Sequence, residues 1–134
     1  MAASPSTLSP VFNHMALYVV NLKMSINFYH GILGLDTVPE PFKDGKHAWF
    51  SLGHPYTLHV IEGADEKKSY FRSNHFCLSV PSLEAFTKVL EKNKVAYVNT
   101  KGEINAVTIR PDGVKQIYFQ DPDGYWIEMN DEKL

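Results

Sequence analysis

The chain contains one cysteine, Cys77, among its 134 residues. No internal disulfide can staple it, and a reducing compartment is expected. Long hydrophobic runs are missing too. Nothing approaches the ~20 apolar residues of a membrane-spanning helix, so no membrane partner is expected. The start, MAASPSTLSP, lacks both the basic residues and the apolar stretch of a secretory signal. The expectation is a cytoplasmic protein, although a mature form left after removal of an upstream signal would begin in the same Ser/Pro-rich way. There is also no basic excess. Thirteen Lys and Arg against fifteen Asp and Glu leave a formal charge of −2, which offers no footprint for nucleic acid. With 44% hydrophobic and 21% charged residues, the chain has the composition and length of one domain that buries its own core.

What the chain does contain is a repeat. Residues 13–20 read NHMALYVV and residues 74–80 read NHFCLSV, so Asn-His followed by an alternating apolar strand returns 61 positions later. YTLHVIE, from Tyr56, matches YWIEMND, from Tyr125, and sets His59 opposite Glu128. When a duplicated α+β module packs about a pseudo-twofold axis, equivalent strand positions can converge on one point. His14, His59, His75 and Glu128 are therefore candidate ligands of a single metal site.

The rest of the chain fits two copies of one module. Residues 1–10 read as a flexible arm. Residues 11–134 form the domain, with module one at about 11–62, a charged linker at about 63–73 and module two at about 74–131. In each module a strand runs into a helix behind an N-cap residue, Asn21 before LKMSINFYHGIL and Ser82 before LEAFTKVLEKN. Gly34 and Asn93 stop the helices. Three strands follow in each half: LDTVPE, HAWFSLG and YTLHVIEG, then VAYVNT, KQIYFQ and YWIEMN, with NAVTIR as an additional segment.

This βαβββ pair, with FYHGILGL, the DPDGYWIE ending and His, His and Glu at matching strand positions, resembles the vicinal oxygen chelate superfamily. That group includes glyoxalase I, extradiol dioxygenases, fosfomycin resistance proteins and bleomycin-binding proteins. The resemblance implies an α+β fold of two tandem βαβββ modules whose curved mixed sheet surrounds a metal site. It also implies a homodimer acting on a small-molecule substrate. The leading expectation is a metal-dependent lyase or isomerase of glyoxalase type. The metal (Zn, Ni, Fe, Mn or Co) would act as Lewis acid on a substrate with two vicinal oxygens, and Glu128 would serve as ligand and catalytic base. Alternatives are an iron dioxygenase using His14, His75 and Glu128 as a facial triad, a fosfomycin-type enzyme, or a ligand-sequestering protein.

Strand alternation sorts the neighbours of these ligands. Tyr18, Thr57, Ile61, Cys77, Ser79 and Trp126, with Ala16, share the ligands' faces and are the expected pocket walls. The opposite parity, Met15, Leu17, Val19, Phe76, Leu78 and Val80, should lie beneath the helices. His30, His47 and His54 are expected in solvent. The sequence departs from glyoxalase I at His59, where glutamate is usual. It departs again at Tyr18 and Gly63, each four residues after a ligand, where glutathione-using members tend to carry arginine and asparagine. A small, uncharged pocket is therefore expected, with Arg110 and Lys115 as the nearest cations, and glutathione is not the expected ligand.

Overall fold

Alternation along the two Asn-His strands decides the layering. In the computed structural model, which describes residues 7–134, strand β1 (His14–Val19) buries Leu17 and Val19 and leaves His14, Ala16 and Tyr18 exposed. Strand β5 (His75–Ser79) repeats the pattern, with His75, Cys77 and Ser79 exposed and Phe76 and Leu78 half-buried. The first six residues of the expected arm lie outside the described residues, and residues 7–10 are exposed.

Helix α1 (Leu22–Ile26) begins where Asn21 Oδ1 accepts the Met24 amide at 3.0 Å. Helix α2 (Leu83–Lys92) begins where Ser82 Oγ accepts the Ala85 amide at 3.1 Å. Both polar joins act as the N-caps their positions predict. The first helix does not remain α-helical along the predicted length. From Asn27 to Ile32 it widens into a π-helical turn, with the Leu33 amide bonded to the Phe28 carbonyl at 2.9 Å. The wider turn lets two consecutive rings, Phe28 and Tyr29, both be buried.

Module one continues with β2 (Thr37–Val38), β3 (His47–Ser51) and β4 (Thr57–Glu62), giving the sheet order β1-β4-β3-β2. Module two continues with β6 (Tyr97–Val98), β7 (Thr108–Ile109), β8 (Lys115–Gln120) and β9 (Trp126–Asn130), in the order β5-β9-β8-β6, with β7 also on β8. In both sheets the Asn-His strand is an edge that pairs in parallel with the module's last strand. The two sheets stay separate within the chain. Their inner faces and helices share one core, in which Phe28 meets Phe119 and Tyr29 meets Phe50. Polar latches close the seam: Tyr29 donates its hydroxyl to Asp121 Oδ2 at 2.7 Å, and the Val20 amide donates to Asp123 Oδ2 at 2.8 Å. The polar sheet faces consequently turn away from the shared core.

Candidate metal centre

The four predicted ligands fall into two pairs. In module one the parallel β1–β4 register sets Ala16 beside His59, and the rings of His14 and His59 stack at 3.9 Å with 14° between their planes. The other face of His59 is covered by Trp49, its register partner on β3, at 3.8 Å and 2°. Thr57 Oγ1 lies 2.9 Å from His59 Nε2, and Asn13 Oδ1 lies 2.7 Å from His14 Nδ1. Burial, followed by the neighbouring His14 and His47 rings, holds the His59 pKa below its usual value. The ring is therefore neutral and keeps a lone pair for an electrophile.

In module two, His75 Nε2 stands 3.2 Å from Glu128 Oε1, and His75 Nδ1 stands 3.0 Å from the Arg72 carbonyl. A carbonyl only accepts, so Nδ1 carries a proton, and in the neutral ring Nε2 faces a carboxylate oxygen with its lone pair. Two acceptors at that distance repel unless a proton or cation lies between them. Glu128 Oε2 is already occupied, accepting from Cys77 Sγ at 3.3 Å and from Asn130 Nδ2 at 3.1 Å, while Ser79 Oγ steadies Asn130 Oδ1 at 2.8 Å. Burial and the bond to Glu128 push the Cys77 thiol up to about 12, so it is a neutral donor and not a nucleophile.

Imidazole nitrogens and a carboxylate suit a divalent transition metal, and His75 and Glu128 bring one nitrogen and one oxygen together at 3.2 Å, a pair that fits one. The rings of module one are stacked face to face, so as they stand their nitrogen lone pairs do not converge on one point. Within one chain, no group of three or more His, Cys, Asp or Glu among the described residues is placed to hold an ion. The structure brings His14 to His59 and His75 to Glu128, on two different sheets.

Several expected wall residues take other places. Tyr18 borders a hollow of about 250 Å³ with linker residues such as Lys68 and Tyr70, away from either pair. It also explains Gly63, where an added Cβ would stand 2.6 Å from the Tyr18 hydroxyl. The two departures noted in the sequence are one packing arrangement. The Trp126 indole donates to the Tyr70 carbonyl at 3.0 Å. Thr57 and Ile61 keep to the His59 face, and Cys77 and Ser79 keep to that of Glu128. His30 is exposed and bonded to the Leu35 carbonyl, but His47 is half-buried and stacked under Phe42 at 4.3 Å.

The expected cations also change. Arg110 is paired with Asp112 at 2.6 Å and Glu132 at 3.5 Å, and Lys115 borders a groove with Leu83 and Ile109. The cation beside a predicted ligand is Arg72. It donates to the Thr100 carbonyl at 2.6 Å, lies 5.6 Å over the Tyr118 ring, and lines a hollow of about 270 Å³ with Ser73 and His75. Among the described residues no carboxylate pairs with it. Sequence reasoning missed Arg72, Trp49 and Tyr118. Trp49 and Tyr118 were recoverable from register alone, since they stand opposite His59 and Glu128.

Two βαβββ modules that share one core and turn polar sheet faces outward define the class of fold. Residues 11–129 match the model of the Glyoxalase/Bleomycin resistance protein/Dioxygenase superfamily, and the chain belongs to that superfamily. It is 25% identical to "Glyoxylase I 4" of Arabidopsis thaliana, over 96% of this chain and 74% of that one. It is 28% identical to a lactoylglutathione lyase of Pseudomonas aeruginosa, over 89% and 81%. A glyoxalase/dioxygenase from Nostoc punctiforme superposes with a TM-score of 0.76 at 24% identity, covering 98% of this chain and 100% of the other, which speaks for the fold.

Proposed function

We infer that the protein is a metal-dependent lyase or isomerase of glyoxalase type, working as a homodimer on a small molecule with two vicinal oxygens. The observation that carries this reading is the His75–Glu128 pair, an imidazole nitrogen and a carboxylate oxygen brought to 3.2 Å with the other imidazole nitrogen bonded to a carbonyl. Resemblance to a lyase and to a "Glyoxylase I 4" supports the reaction class.

The two half-sites and the two unpaired edges point the same way. β1 and β5 each have a free edge, and each carries the first ligand of its pair. A second copy that lays its β5 edge near β1 covers both edges and sets His14 and His59 opposite His75 and Glu128 of the partner chain. The site is then shared, twice per dimer.

A divalent cation bound there supplies Lewis acidity toward the two oxygens of the substrate. Glu128 moves the proton. Its Oε2 is steadied by Cys77 and Asn130, and Oε1, when displaced from its ligand role, would take a proton from one carbon and return it to the next. Arg72 receives a carboxylate or phosphonate substituent, and Tyr118 and Thr100 hold the guanidinium in place.

Mixing tests the shared site. His59→Ala and Glu128→Gln homodimers should each fail to hold zinc tightly. A heterodimer of the two regains one intact site, so random re-association should restore about a quarter of wild-type zinc sites. Full zinc binding by a dilute monomer would overturn the shared arrangement, and no zinc binding by the wild type would overturn the metal reading. The reaction is approached by a thermal-shift screen of the zinc-loaded protein with catechols, α-hydroxy ketones, glutathione adducts and fosfomycin, in which the substrate class raises the melting temperature. Stabilisation by glutathione adducts alone would replace the small-substrate reading with that of a glutathione-dependent enzyme.

A further inference from the structure

We propose that Trp49 and Phe42 form an aromatic ligand subsite beside His59, in which the Trp49 indole N–H donates to an oxygen of a ring-bearing ligand and Phe42 covers the place until the ligand arrives. The subsite deepens the proposed function and rests on His59 facing the binding cavity.

Three observations carry it. Trp49 Nε1 is buried and without a hydrogen-bond partner, the sole side-chain nitrogen or oxygen in that condition among the described residues. Buried indole N–H groups almost always find an acceptor, so an orphan beside a ligand residue marks a bond completed by something else. Second, the acceptor's location is fixed by register: His47, Trp49 and His59 project from one face, and Trp49 lies flat on His59. A group bonded to the indole is therefore a neighbour of His59.

Third, Phe42 is 59% exposed yet is held there by construction. Glu40 accepts the amides of Phe42 and Lys43 at 2.7 and 3.0 Å, and Asp44 accepts from the Lys46 amide and the His47 ring, each at 2.9 Å. This self-bonded turn lays Phe42 over His47 at 4.3 Å and edge-on to Trp49 at 6.4 Å. Phe42 contributes nothing to the main core. An exposed ring resting on other rings is a cover that an aromatic or unsaturated ligand can displace at little net cost, exchanging one ring contact for another.

The test uses benzohydroxamate, a ring bearing two neighbouring oxygens, and acetohydroxamate, the same head without the ring. The chain has two tryptophans, and Trp126 is already bonded to Tyr70, so its indole resonance serves as an internal control in ¹⁵N spectra. Millimolar benzohydroxamate should move the Trp49 indole N–H downfield, with or without zinc, and leave Trp126 in place. Acetohydroxamate should bind at least tenfold more weakly. Trp49→Phe, which keeps an aromatic ring at the position and removes the donor, should weaken benzohydroxamate about tenfold, equivalent to ~1.4 kcal/mol. Phe42→Ala removes the cover and should increase acrylamide quenching of Trp49 emission several-fold. A Trp49 resonance that stays put with benzohydroxamate, in the wild type and in Phe42→Ala, overturns the subsite whatever zinc does. Absent zinc binding together with a moving indole overturns the metal reading alone.

Discussion

At the residue scale the site depends on which atoms are already committed. Glu128 gives one oxygen to Cys77 and Asn130 and presents the other to His75. Glu128→Gln preserves shape and both contacts of the outer oxygen but brings an amide where a negative charge is needed. It should fold with an unchanged circular dichroism spectrum and lose at least about tenfold in zinc affinity; full metal content with full turnover in any metal-dependent assay would remove Glu128 from the site. His59→Glu should be tolerated as a ligand exchange. If lactoylglutathione formation from the methylglyoxal–glutathione adduct appears with that change, His59 is what separates this chain from that reaction. Arg72→Gln should weaken anionic ligands by about tenfold while sparing neutral ones, measured by calorimetry, since one charge-assisted contact is removed.

At the scale of elements, both modules start their helices with the same device but continue them differently. Ser82→Ala should cost about 1 kcal/mol through loss of the α2 cap, seen as a fall of roughly 3–5 °C in melting temperature. The predicted length of the first helix is right, but its winding is not. Apolar spacing at Leu22, Ile26, Tyr29 and Leu33 fits an ordinary helix, and the π-helical turn appears because Phe28 and Tyr29 both have places in the shared core. Local periodicity does not register a demand set by the opposite module. The break between strands from Pro39 to Gly45 was similarly legible, while its use of Glu40 and Asp44 to display Phe42 was not.

At the scale of the whole molecule, the modules are latched by Tyr29 and Asp121, a buried phenol donating to a carboxylate. Burial, then the Asp121 charge, raises the Tyr29 pKa well above its ordinary value. A raised pKa in the folded state means that the latch's contribution is fully present below the unfolded tyrosine value of about 10. It is lost as pH rises beyond that, because the unfolded chain releases a proton that the native chain retains. Tyr29→Phe should therefore lower stability at pH 7 by roughly 1–3 kcal/mol, because Asp121 Oδ2 loses its donor. It should also flatten the alkaline decline, and an equal decline in both proteins would show that the latch does not govern it.

The sequence by itself determined the duplication, the alternation of faces, both caps and the identity of the four ligand candidates, because these follow from local spacing and from comparing one half with the other. Only the tertiary structure decided how the halves meet. The same residues suit a chain whose two sheets curve around one site or a chain whose helices and inner faces share a core. The buried contacts of Phe28, Tyr29, Phe50 and Phe119 select the second. With that core in place, the histidine pairs lie on separate sheets and both Asn-His strands remain free edges. Arg72 and Trp49 are placed by contacts between segments apart along the chain, Arg72 on Thr100 and Tyr118 and Trp49 on His59, whereas Phe42 is set by its own turn against the strand that follows it.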